Sequence, residues 1–240
     1  MGVPLEIKYI KYEDKVIEFK PKRKGRTKSV KGEGKSNRVY PIKEKENIEK
    51  MKQYFREQID NKWYQSEKII AGRDLCLFKF SLNVGLRMSD IVKLKWGDIF
   101  YNDNTFRDAI VIQEKKTGKY KEFYLNDNAK KAITDFINEF NITIKLDEYI
   151  FPSREGGHIE VRRVNQIIKQ AGKAVGIKYR LGTHSCRKTW AYWQIMNHQN
   201  DAYFLAHLMN LLNHSDIAST LHYAGISSEQ TKQYYDDVNL

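Results

Sequence analysis

Beyond position 43, apolar residues recur every three to four positions along most of the chain, a period that predicts helices. Residues 44–58 place Ile48, Met51, Tyr54 and Phe55 on one side. Residues 67–84 are denser, with Ile69, Ile70, Leu75, Cys76, Phe78, Phe80 and Leu82, and they stop at Gly85, which suits a left-handed cap. Ser89 or the residue before it can open another helix. Residues 127–140 carry Ala129, Ala132, Ile133, Phe136 and Ile137 on one face. Residues 161–175, 190–196 and 201–212 read as further helices, and 227–235 as a last one. Residues 96–101, 109–113 and 121–125 read instead as three strands, the last two joined as a hairpin by a turn containing Gly118. Two shorter β-type runs, 5–10 and 16–19, flank a turn at 12–15.

Residues 20–38 fit neither period. They hold nine Lys or Arg against one acid, Glu33, with almost nothing apolar. Such a stretch buries no core and is expected to be mobile when free. Lys20, Lys22, Arg23, Lys24, Arg26 and Lys28 read as an arm lying on DNA phosphates, with a solvated linker as the plainer alternative. The formal net charge of +12 points the same way, toward nucleic acid or an acidic membrane face. No apolar run approaches the length of about 18 residues that a membrane span needs. The first residues lack the charged and apolar regions of a signal peptide. Cys76 and Cys186 stand far apart in apolar contexts, as buried free thiols of a cytoplasmic protein would. A length of 240 residues allows one large or two small domains.

Candidate chemistry concentrates in residues 182–226. Gly182-Thr-His184-Ser-Cys-Arg187-Lys188-Thr189 puts a His and an Arg three apart, on one face of a helix turn. Leu211-Leu-Asn213-His214-Ser215-Asp216 follows, and Tyr223 comes nine residues after His214. Two imidazoles, a guanidinium and a phenol suit phosphoryl transfer: a fork for phosphate oxygens, proton carriers and an oxygen nucleophile. His184, His207, His214 and His222 also raise the question of a metal, but no Cys or carboxylate joins them at ligand spacing. Asp98 and Asp103 read as strand-end and turn residues, not a nuclease pair.

This pattern resembles the catalytic core of the tyrosine recombinases, or phage-type integrases. Upstream, Gly85-Leu86-Arg87 followed by Ser89-Asp90 is similar to the family's first box. The resemblance covers roughly residues 67–230 and implies a mainly α-helical fold with a small antiparallel β-sheet. It implies that Arg87 and Arg187 bind the non-bridging oxygens of a scissile phosphate and that Asp90 supports the site. His184 would accept the proton of Tyr223, the nucleophile, and His214 would hydrogen-bond the phosphate. A hairpin lysine would protonate the leaving oxygen. Lys116 in Lys116-Thr-Gly is the choice, with Lys115 and Lys119 open because a one-residue slip changes face. Solvated turn lysines are the plainer reading of all three. Independently of the resemblance, Arg162, Arg163 and Lys169 on the helix over 161–175 read as residues facing DNA.

The implied activity is site-specific cleavage and rejoining of DNA through a 3′-phosphotyrosyl intermediate, without metal or other cofactor. The implied partners are double-stranded DNA and further copies of the chain, a tetramer on DNA, with room for an accessory directionality factor. Relaxation of the topoisomerase IB type, chromosome-dimer resolution, and a non-cutting DNA-binding regulator are the alternatives. The expected organisation is an N-terminal hairpin and basic arm over 1–40, a linker helix over 41–66 and a catalytic domain over 67–240. The 66 residues before the core read as a hairpin, an arm and one helix, not as the helical core-binding domain of typical members.

Overall fold

The structure is a computed structural model, and it describes residues 10–12, 15–17, 38–113, 118, 120–201 and 203–226. The chain forms two compact units, Met1–Asn37 and Arg38–Leu240. In the first, strands β1 (Ile10–Tyr12) and β2 (Lys15–Ile17) pair antiparallel with Ile10 opposite Ile17. The hairpin expected near the N-terminus is thus present, although its first strand lies at the end of the apolar run and continues past it. The arm lysines and arginines at 20–28 and the expected last helix at 227–235 lie outside the described residues.

The second unit is mainly helical. Its centre is α2 (Gln65–Val84), buried around most of its circumference, including Leu75, Phe78 and Phe80. A helix that is apolar on all sides has to be surrounded. Around it pack α1 (Lys45–Asp60), α5 (Asp127–Phe140), α6 (Val161–Ala174) and α7 (Thr183–Asn197). α1 contributes Met51, Phe55 and Ile59 to the same core. α5 keeps the bounds read from its period, with Asn126 accepting from the Ala129 N–H as N-cap.

Two short helices, α3 (Met88–Ile91) and α4 (Trp96–Ile99), follow α2. The expectation of a strand over 96–101 is therefore corrected. The Asp98 carboxylate accepts from the Lys95 N–H at 2.7 Å, and this local bond winds Trp96–Ile99 into a turn of helix. Trp96 and Gly97 then donate outward, to Glu148 and Leu146. The sheet is accordingly two-stranded: β3 (Ile110–Gln113) against β4 (Tyr120–Phe123), with Ile110 opposite Phe123. α8 (Phe204–Leu212) and α9 (Ile217–Ala224) complete the described chain. They pack with α7 around a second, smaller hydrophobic cluster.

Candidate active site

α2 ends at Gly85, whose φ of 62° is the left-handed conformation expected there. A Cβ at this position would stand 2.6 Å from the ring of Trp190, so the helix end lies directly on α7. Two residues later Arg87 occupies the N-cap position of α3, half-buried. Asp90 follows in α3, buried, and one of its oxygens stands 3.4 Å from the Ser89 hydroxyl. α7 starts in the Gly182-Thr183 turn, where Asn165 accepts from the Thr183 N–H at 3.2 Å. His184 stands on its first turn, exposed, and Arg187 one turn further is only 4% exposed.

Arg187 reaches across to α8, where its Nη2 donates to the Leu212 carbonyl at 3.1 Å. Lys121 of β4 donates from Nζ to the neighbouring Leu211 carbonyl at 2.6 Å. Both cations therefore sit at the C-terminal end of α8, where carbonyls lack helical partners and the dipole is negative. Asn213 then turns the chain through a left-handed conformation and delivers His214, whose N–H bonds back to Met209. α9 begins at Asp216, which accepts from the Ser219 N–H at 2.6 Å. Fully buried Thr220, on the next turn, places its hydroxyl 3.0 Å from Nδ1 of His214. That bond fixes the imidazole, and the ring meets Tyr223 edge-on with centroids 5.0 Å apart.

Burial and then the Arg187 charge lower the His214 pKa; Arg87 adds to this and Asp216 opposes it. Burial raises the Tyr223 phenol, against the pull of Arg187 and Arg87. Both rings thus lie in the field of both arginines, although Arg87 and Tyr223 are far apart in sequence. Arg87, Arg187, His214 and Tyr223 are brought together. His184 is tied to them by its place on α7. Arg162 and Arg163 stand exposed on the first turn of α6, and Arg163 bonds Gln166 at 3.3 Å. Lys115, Lys116 and Lys119 lie outside the described residues.

Three neighbours of the site were not singled out from sequence. Thr220 could have been, because it precedes Tyr223 by three residues and shares its helix face. Lys188, next to Arg187, holds its Nζ 5.1 Å from the Tyr223 ring centroid. Lys121 meets Leu211 across 90 residues of sequence, a contact no local pattern signals. Of the acids set aside as a nuclease pair, Asp98 caps α4 and Asp103 accepts from Thr105. Among the described residues no group of three or more His, Cys, Asp or Glu could hold a metal ion. Cys76 and Cys186 are free and buried. No helix among those residues is long and apolar enough to cross a membrane.

A helical core around α2, a two-stranded sheet and a joint site of two arginines, a histidine and a tyrosine describe a tyrosine recombinase catalytic domain. The chain belongs to the phage integrase family, whose sequence pattern matches residues 56–230. It is 30% identical over 198 residues to the probable integrase/recombinase YoeC of Bacillus subtilis (strain 168), covering 82% of this chain and 95% of that protein. It is 27% identical over 164 residues to the tyrosine recombinase XerC of Xanthomonas axonopodis pv. citri (strain 306), covering 68% of this chain. That match spans 50% of the XerC protein. In fold the chain is similar to the XerH site-specific recombinase bound to a palindromic difH substrate, with a TM-score of 0.60 at 16% identity, over 84% of this chain and 54% of that one. It is also similar to the Tn1549 transposon integrase in complex with transposon right end DNA, with a TM-score of 0.53 at 14% identity, over 82% and 67% of the two chains.

Proposed function

We propose that this protein cleaves and rejoins double-stranded DNA at specific sites, with Tyr223 as the nucleophile. The observation that carries this reading is that His214 packs edge-on against Tyr223 with both rings in the field of Arg187 and Arg87. A phosphodiester in that space would meet two planar forks that match its non-bridging oxygens. Its negative charge would offset the arginine fields, so the His214 ring would accept a proton more readily and bond the phosphate. The Tyr223 phenol stays protonated in its buried setting, and attack therefore needs a base. His184 takes that role. The phenolic oxygen bonds to phosphorus as the P–O5′ bond breaks, leaving a 3′-phosphotyrosyl link and a 5′-oxygen. Lys116, through the family resemblance, protonates that oxygen. The new ester keeps the phosphodiester energy, so rejoining needs no nucleotide cofactor.

Asp90 supports Arg87 from α3. Arg162, Arg163, Lys115, Lys119 and the arm residues Lys20, Lys22, Arg23, Lys24, Arg26 and Lys28 contact phosphates along the duplex. The expected division into an arm over 1–40, a linker helix over 41–66 and a catalytic domain over 67–240 belongs to the same reading. Exchange between two duplexes calls for several protomers, a tetramer on DNA, with an accessory factor to set direction. Supercoiled plasmid carrying the DNA that flanks the gene tests the reaction. After an SDS quench, DNA should be linked to wild-type protein and not to Tyr223→Phe. Sound binding with no adduct would overturn cleavage in favour of a non-cutting binder.

A further inference from the structure

We propose that residues 38–44 form a strap that positions the nucleophile, with Arg38 and Lys43 as its positioning residues. The inference rests on the reading of Tyr223 as the attacking group. α9 ends immediately after Tyr223, where the His222 carbonyl takes only the capping Gly225 N–H at 3.1 Å from the backbone and has a lone pair left for a side-chain donor. Arg38 donates from Nη2 to the His222 carbonyl at 3.1 Å. Lys43 donates from Nζ to the Gly225 carbonyl at 2.8 Å. Two cations from one short segment thus hold the backbone on both sides of Tyr223, at the negative end of its helix. Between them Pro41 rests on Gly225: a Cβ there would stand 3.2 Å from Pro41 Cγ, and the φ of 77° is a second bar to a side chain.

The strap is itself anchored. The Ile42 N–H donates to the Thr189 hydroxyl at 2.8 Å, Trp193 Nε1 donates to the Ile42 carbonyl at 3.3 Å, and the Tyr40 N–H donates to the Arg180 carbonyl at 3.1 Å. Ile42 is fully buried. Lys188 closes the third side, donating to the Val39 carbonyl at 2.9 Å while facing the Tyr223 ring. Tyr223 is therefore held between α7, which carries Arg187, and a segment that lies outside the family match at 56–230. The sequence running into the strap is the basic stretch 20–38.

The test uses the full chain and the double variant Arg38→Gln/Lys43→Gln, with Lys43→Gln alone as the milder version. Hydrogen exchange without DNA is read first. Amides at the end of α9 should exchange at least about tenfold faster, as expected for losing a charge-assisted bond, with α5 unchanged. Unchanged exchange in α9 would overturn the proposal whether or not the protein cuts DNA. Adduct formation on the plasmid, per molecule of bound protein, should fall about tenfold or more, and Lys43→Arg should restore it where Lys43→Gln does not. Normal adduct rates in a variant whose α9 has loosened would also overturn it. An adduct that persists in Tyr223→Phe would instead overturn the nucleophile assignment, and the exchange result would still decide whether the strap holds α9.

Discussion

Gly85→Ala should destabilise the fold by an amount that follows from two independent features of the site. Its φ of 62° lies in the left-handed region, where a Cβ costs about 1 kcal/mol. The added methyl would also sit 2.6–2.7 Å from three carbons of the Trp190 ring, too close for any real contact. Trp190 belongs to α7 and is packed against the smaller cluster, so it cannot simply swing away. Overpacking of this kind costs about 1–3 kcal/mol more. The total, about 2–4 kcal/mol, should lower a urea midpoint by roughly 1 M at a slope of about 3 kcal/mol/M. Trp190→Leu separates the two parts. In that background Gly85→Ala should keep its left-handed cost and shed the clash, giving a coupling of about 1–3 kcal/mol in a double-mutant cycle. A single-variant loss under about 1 kcal/mol, or a cycle without coupling, would refute the packing account of how α2 delivers Arg87.

Stability should also respond to His214. Its pKa in the folded chain lies below the ordinary 6.5, because burial and the two arginines outweigh Asp216, so the unfolded chain binds the proton first. Stability should therefore fall as pH drops below about 6.5, with the loss complete below the folded value. His214→Gln should flatten this limb below about pH 6.5 in chemical denaturation, and an identical slope in both proteins would contradict it. The carboxyls of Asp216 and Glu44 are held below their ordinary values and act only at lower pH. Arg187→Lys should retain DNA binding while adduct formation drops by about 10²–10³, since an ammonium cannot both hold the Leu212 carbonyl and present a fork. EDTA should leave adduct formation unchanged; loss with chelator and recovery with a divalent metal would sink the metal-free mechanism.

α5 was legible in the sequence to its ends because Asn126 caps it and its apolar face repeats without a break. Arg87, Arg187, His214 and Tyr223 were legible as a set because their spacing and order resemble a family. Trp96–Ile99 misled, because a bulky apolar run resembles a strand until the Asp98 side chain is seen closing it. The strap was invisible, since Arg38 and His222 lie 184 residues apart and each looks ordinary in its own neighbourhood. Thr220 lies between these cases: its position relative to Tyr223 was readable, and its bond to His214 was not.

The two hydrophobic clusters have a further consequence. The large one, around α2, runs from Ile42 to Cys186, whereas Ala191, Ile195, Leu208, Leu212, Ala224 and Ile226 form the small one on which Tyr223 rests. A cluster that small carries little of the total burial, and such regions open at a free energy below that of global unfolding. α8 and α9 are therefore expected to open before the main core does. Warming should release the nucleophile while the main core stays folded, so the ability to cut would have an inactivation temperature of its own, below the melting point of the protein.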